Sequence, residues 1–166
     1  IQAGTEGRHY AANKNFGMVI MEPLRGGKLA VTPTEEVRNI WKKSKNNWTM
    51  AQRGLSFVWD DPAVSVVLSG MTTLDQVKEN VHSADLAIAG GLSDFERSLY
   101  AEAREAYWNR TVAPCTGCEY CLPCPAGVNI PSNLNIVNEL AMFGDVTLSR
   151  GNYEFQPPSE RSENCV

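Results

Sequence analysis

The sequence predicts an α/β domain over its first two-thirds, followed by a smaller cysteine-rich module. Two short apolar runs, at residues 17–21 and 64–68, have the length and composition of buried β-strands, and segments with helical periodicity surround them. After Trp108 the composition changes, because residues 111–131 are rich in Cys, Pro and Gly and cannot form a regular element. We therefore place a domain boundary near residue 109.

The helices can be placed in order along the chain. Residues 4–14 can form a helix before the first strand, and a threonine N-cap opens a second helix over residues 34–44. Apolar residues at helical spacing predict a third helix over residues 49–59, which ends at an Asp-Asp-Pro sequence. After the second strand, we expect helices at residues 73–83, 93–108 and 132–142.

Composition and charge exclude several classes of protein. Of the 166 residues, 43% are hydrophobic and 20% are charged, as in an ordinary globular domain. No apolar run approaches the ~20 residues that span a bilayer, and the N-terminus lacks the pattern of a signal peptide. The net charge is −4 and there is no basic block, which argues against a nucleic-acid or anionic-membrane surface. We expect a cytoplasmic protein.

The cysteines are the most informative feature of the sequence. Cys115, Cys118, Cys121 and Cys124 are spaced three residues apart and are followed by a proline. Neighbours this close cannot join distant segments through disulfides, so we expect reduced thiols that bind metal. The pattern C-x2-C-x2-C-x2-C-P is similar to the bacterial ferredoxin loop C-x2-C-x2-C-x3-C-P. We predict that these four thiols bind a [4Fe–4S] cluster.

Two questions about the cluster stay open. The last gap is two residues rather than three, so the fourth ligand is either Cys124 or a cysteine of a second motif, whose opening Cys165 resembles. A structural zinc site is the competing interpretation, although zinc usually takes two cysteine pairs separated by a dozen or more residues.

Each predicted strand is followed by a turn suited to anions. After the first strand, Arg25 stands beside Gly26 and Gly27, through which backbone amides can approach a phosphate. After the second strand, residues 69–73 lead into a helix N-terminus, where free N–H groups favour negative charge. A plain turn and a capping box without a ligand explain the same residues.

Four segments of the chain carry recognisable motifs. In chain order they are Val19-Ile20-Met21-Glu22-Pro23-Leu24-Arg25-Gly26-Gly27; Ala51-Gln52-x-x-Leu55-x-Phe57-Val58-Trp59; Val64-x-Val66-Val67-Leu68-Ser69-Gly70-Met71-Thr72-Thr73 with Gln76, Glu79 and Asn80; and Cys115-Thr116-Gly117-Cys118-Glu119-Tyr120-Cys121-Leu122-Pro123-Cys124-Pro125. Together these segments resemble the aldo/keto reductase family, in its branch with a C-terminal ferredoxin-type iron–sulfur domain. The resemblance covers nearly the whole chain.

This resemblance implies a fold and a cofactor. Residues 1–108 would be the C-terminal part of a (β/α)8 TIM barrel, and residues 109–166 a small, mainly α-helical ferredoxin-like [4Fe–4S] module. The family reduces carbonyls with NAD(P)H, usually NADPH. The residues implied to contact the pyrophosphate are Pro23, Leu24, Arg25 and Gly27. Those implied to surround the adenosine are Gly70, Met71, Thr72, Thr73, Gln76, Glu79 and Asn80.

The chain also departs from the family. Many members place a lysine and an arginine against the 2′-phosphate of NADPH, but this chain has Gly70 and Gln76 there, so the choice between NADH and NADPH stays open. The family's catalytic Asp, Tyr, Lys and His lie in the first half of the barrel. This chain has only two predicted strands, too few to close a barrel, and the residues before Met18 cannot supply that first half. We therefore interpret the chain as a fragment, truncated at both ends, that is inactive alone and has no catalytic residue of its own.

The parent protein is then expected to be an NAD(P)-dependent oxidoreductase. Its expected partners are the cofactor, a small carbonyl substrate and an electron-transfer partner, and exposed strand edges predict that the fragment self-associates or retains its N-terminal half. The alternative function is a non-catalytic module on a degenerate barrel, either an iron–sulfur electron carrier or a zinc-stabilised structural unit.

Overall fold

The computed structural model describes residues 4–166, which form two compact units. The first unit contains the described residues up to Pro33 together with Arg38–Ala101, and the second contains Thr34–Val37 and Glu102–Val166.

Helices account for most of the regular structure in the described residues. In chain order the elements are α1 (Gly4–Asn13), β1 (Met18–Ile20), α2 (Glu35–Trp41), α3 (Met50–Trp59), β2 (Val64–Val67), α4 (Leu74–Leu86), α5 (Asp94–Trp108), α6 (Ile130–Phe143) and α7 (Val146–Phe155). Two short 3-10 helices follow at Pro158–Glu160 and Ser162–Asn164.

The two predicted strands are present and pair in parallel in the first unit. Val19 of β1 lies opposite Val66 of β2, and the register is irregular just before Val19. The hydroxyl of Ser65 accepts a hydrogen bond from the Met18 N–H at 3.1 Å, which supports the sheet at this irregularity. Val19 is 53% exposed and Val66 is 47% exposed, so this face of the sheet is open.

Helix α3 contributes two buried side chains to the first unit, Arg53 and Leu55. A capping box begins it, because Thr49 and Gln52 each accept a hydrogen bond from the other's backbone N–H. Leu55 is fully buried on this helix. Arg53 is also buried, with its guanidinium 4.7 Å from the Trp41 ring centre and a 2.7 Å hydrogen bond to the Asn46 carbonyl. Burial lowers the pKa of Arg53, because the charged form loses its hydration.

In the second unit, a buried asparagine fixes the start of the cysteine loop. The Asn138 carbonyl oxygen accepts hydrogen bonds from the backbone N–H groups of Val112 and Ala113, both at 3.0 Å. Its amide donates to the Ala113 carbonyl at 2.7 Å. These three bonds tie residues 112–113 to α6, so the irregular segment that follows starts from a fixed point.

The predicted fold class, the C-terminal part of a (β/α)8 barrel followed by a ferredoxin-like module, is wrong. A barrel closes on eight strands that each pair on both sides, whereas the sheet in residues 4–166 has two strands. Residues 102–166 contain helices, 3-10 turns and irregular loop, and no strand. The segments that suggested the barrel cover the two strands, helix α3 and the turns that follow the strands, and none of these specifies how many strands a sheet contains.

Among residues 4–166, no helix combines the length and the apolar character that crossing a membrane requires.

Candidate functional site

A cleft of about 560 Å³ opens in the first unit, where the residues after β1 meet the residues after β2. Because the two strands are parallel and adjacent, their carboxyl ends lie at the same edge of the sheet. Ligands of open parallel sheets bind at this edge. The lining residues are Met21, Glu22, Pro23, Leu24, Gly26, Gly27, Ala30, Ala51, Leu68, Ser69, Gly70, Met71, Gln76, Glu79 and Asn80.

The turn after β1 contributes backbone to the cleft. Arg25, Gly26 and Gly27 are all left-handed, with φ of 51°, 63° and 89°. The Gly27 N–H donates to the Leu24 carbonyl at 3.0 Å, which closes the turn. The Gly26 N–H has no hydrogen-bond acceptor within residues 4–166, so it remains available at the cleft. Glycine at positions 26 and 27 is needed for this left-handed path.

Arg25 is not part of the lining. Its side chain is exposed and lies outside the cleft, although the resemblance implied that it contacts the pyrophosphate. A non-glycine residue at positive φ costs of order 1 kcal/mol, so the turn is held there against a local strain.

The helix start after β2 is capped from within. Thr73 is the N-cap of α4, and its hydroxyl accepts the Gln76 N–H at 3.3 Å. The Gln76 side-chain oxygen accepts the backbone N–H groups of Thr72 and Thr73 at 2.8 and 3.1 Å, and the Thr72 hydroxyl at 3.2 Å. Gln76 lines the cleft, whereas Thr72 and Thr73 do not. The N–H groups of Thr72 and Thr73 are therefore already satisfied by a neutral side chain.

Two further polar residues of α4 face the cleft. The Glu79 carboxylate accepts a hydrogen bond from the Thr49 hydroxyl, which connects α4 to α3. The Asn80 amide donates to the Ser69 hydroxyl at 3.0 Å. Both Glu79 and Asn80 are half-buried. Ser69 belongs to the turn at residues 69–73 that the sequence predicted to suit an anion, but it was not among the residues that the resemblance assigned to the cofactor.

Gly54 of α3 leaves room for the side chain of Leu24, which lines the cleft. A Cβ added to Gly54 would collide with the end of the Leu24 side chain. By contrast, a Cβ at Gly70 would meet no atom within 4 Å, and Gly70 does not have a positive φ. The backbone conformation therefore does not require glycine at position 70, and the absence of a side chain there keeps the cleft open.

The cysteine loop lies in the second unit and is irregular. All five cysteines have free thiols; Cys124 is half-buried and the others are exposed. Gly117 and Glu119 flank Cys118 with positive φ values of 68° and 60°.

One thiol of the loop differs from the rest. Hydrogen bonds from the Tyr120 N–H and from the Thr116 hydroxyl to the Cys118 sulfur lower the pKa of this thiol. Backbone donors to sulfur favour the thiolate, which is the form that binds metal.

The structure does not bring the four predicted ligands together. Within residues 4–166, no three His, Cys, Asp or Glu side chains are close enough to hold one metal ion. Cys124 instead lines a separate cleft of about 430 Å³, together with Glu119, Asn129 and Glu160. The donor set fits soft metals such as iron, but a shared cluster requires the loop to draw its thiols together.

Comparison with family models, curated proteins and solved structures found no match to this chain. The resemblance to aldo/keto reductases therefore stays a prediction from the motifs.

Proposed function

We propose that this chain binds the pyrophosphate and adenosine end of a nicotinamide dinucleotide and carries a [4Fe–4S] cluster on its cysteine loop, within an oxidoreductase that acts on small carbonyl compounds. The cleft carries the proposal. Of the eleven residues that the resemblance to aldo/keto reductases assigned to NAD(P)H, eight line it: Pro23, Leu24, Gly27, Gly70, Met71, Gln76, Glu79 and Asn80. They come from two segments about fifty residues apart, so their meeting does not follow from proximity in sequence.

The shape of the cleft supports a nucleotide. Its volume of about 560 Å³ lies within the usual range for small-molecule sites, which is roughly 300–1,000 Å³. The backbone conformation at Gly70 does not require glycine, and the missing side chain leaves space in the cleft. This is the arrangement expected where a ligand, rather than a side chain, fills the volume.

Each part of the ligand has matching groups. The unpaired Gly26 N–H is a donor for a phosphate oxygen of the pyrophosphate. The amide of Asn80 and the carboxylate of Glu79 suit the polar edge of adenine and the ribose hydroxyls. Met71 provides an apolar contact for the base. The nicotinamide, when bound, supplies hydride transfer, and no residue here is assigned a proton-transfer role.

The cysteine loop supports the second cofactor by its donor chemistry. Cys115, Cys118, Cys121 and Cys124 would hold the cluster, which would supply one-electron transfer. The lowered pKa of Cys118 provides a thiolate at a lower pH than an ordinary cysteine does. Five free thiols are suited to a reducing compartment, and we place the protein in the cytoplasm.

Binding of ADP-ribose, measured by isothermal titration calorimetry on the full chain, tests the nucleotide half of this proposal. We expect wild-type protein to bind it, and Gly70→Val to weaken binding at least tenfold because the new side chain enters the cleft. Gly151→Val is the matched control, since a Cβ at Gly151 also meets no atom within 4 Å but lies on α7. Absence of binding, or equal loss in both variants, would contradict the proposal.

A further inference from the structure

We infer that the cleft selects dinucleotides whose adenosine ribose carries a free 2′-hydroxyl, as in NAD(H), and rejects the 2′-phosphorylated form, NADP(H). The inference rests on the proposed function and specifies which dinucleotide the site takes.

Charge is the first reason. The ionisable side chains that line the cleft are Glu22 and Glu79, and the lining contains no Lys, Arg or His. A phosphate monoester carries a charge of about −1.5 to −2 at neutral pH. Beside a half-buried carboxylate such as Glu79, this charge is repelled in a medium that screens it less than water does. A ribose hydroxyl has no such cost and can donate a hydrogen bond to the same carboxylate.

The state of the hydrogen-bond donors is the second reason. A phosphate needs several N–H or O–H donors, and the start of α4 would ordinarily provide them. Here the N–H groups of Thr72 and Thr73, and the Thr72 hydroxyl, all donate to the Gln76 side-chain oxygen. Leu74 and Asp75, the first two residues of α4, do not line the cleft. A phosphate at this position would have to displace that oxygen. The Asn80 amide likewise already donates to Ser69.

The pyrophosphate does not affect this comparison. NAD(H) and NADP(H) share it, so its repulsion by Glu22 and Glu79 and its attraction to the Gly26 N–H are the same for both ligands. The difference in affinity reports only the 2′ position.

Two probes that differ only at the 2′ position test the inference: ADP-ribose and 2′-phospho-ADP-ribose. Titration calorimetry of each with the full chain should give a dissociation constant at least tenfold lower for ADP-ribose. Glu79→Gln keeps the size of the side chain and removes its charge, so it should reduce this ratio several-fold. Asp85→Asn is the matched control, because it makes the same change on an exposed position of α4 outside the cleft lining, and it should leave the ratio unchanged.

A second variant adds what the cleft lacks. Gln76→Arg introduces a cation and frees the N–H groups of Thr72 and Thr73, so it should raise affinity for 2′-phospho-ADP-ribose more than for ADP-ribose. If wild-type protein bound the 2′-phosphorylated probe equally or more tightly, the inferred selectivity would be overturned, whereas the proposed function would stand. If neither probe bound, the proposed function would fail, and this inference with it.

Discussion

At the scale of single residues, the contact between Gly54 and Leu24 decides how much room the cleft has. Leu24 is one of the lining residues, and the end of its side chain occupies the space beside Gly54 on α3. Any side chain at position 54 must displace it. The glycine therefore matters through the residue that it allows to approach, although it costs helix stability at an interior position.

We predict that Gly54→Ala weakens ADP-ribose binding several-fold with little change in thermal stability. The displaced Leu24 side chain alters the cleft, while alanine recovers up to about 1 kcal/mol of helix propensity. Calorimetric titration and a thermal melt measure the two effects. Gly151→Ala is the control, because it has the same helix gain and no neighbour, and it should raise stability without changing binding. Unchanged binding in Gly54→Ala would contradict this role for Leu24.

At the scale of elements, Tyr100 joins α5 to α3 within the first unit. Its hydroxyl donates to the Arg53 carbonyl at 2.9 Å, and its ring lies 4.9 Å from that of Trp41 and 5.2 Å from that of Phe57, centre to centre. Burial raises the pKa of Tyr100 well above its usual value, because the phenolate would lose its hydration.

This burial predicts a loss of stability in alkali. Above pH of about 10 the unfolded chain loses the Tyr100 proton while the folded chain keeps it, so the free energy of unfolding falls as pH rises. Urea denaturation between pH 8 and 11 measures the decline. Tyr100→Phe should be less stable at pH 8, since the Arg53 carbonyl loses its donor, and should decline less steeply. Some decline should remain, because burial also raises the pKa of Tyr107. A parallel decline in both proteins would contradict the assignment.

The elements also show what local sequence could predict. Both strands and six of the seven helices in the described residues were predicted near their observed positions, because apolar spacing and N-caps are local signals. Helix α7 was not predicted, since its residues are mostly polar. Its boundary signals were present nonetheless: Gly144, at φ of 73°, ends α6, and Asp145 caps α7 by accepting the Leu148 N–H at 2.8 Å.

At the scale of the whole molecule, local signals were insufficient. The barrel prediction was wrong because strand number and closure are set by long-range pairing, which turn motifs do not encode. The position of the cleft depends only on the pairing of two strands. Because β1 and β2 are parallel, their carboxyl ends lie together and the segments that follow them meet. The cysteine spacing predicted which thiols are candidates but could not predict their convergence, which depends on loop conformation.

Metal content distinguishes the proposed [4Fe–4S] cluster on the cysteine loop from a structural zinc site. We would measure iron, acid-labile sulfide and zinc in protein purified without oxygen, together with its visible spectrum. We expect about four irons and four sulfides per chain, with a broad brown absorption that bleaches on reduction and is lost in Cys118→Ser. Zinc without sulfide, or neither metal, would contradict it.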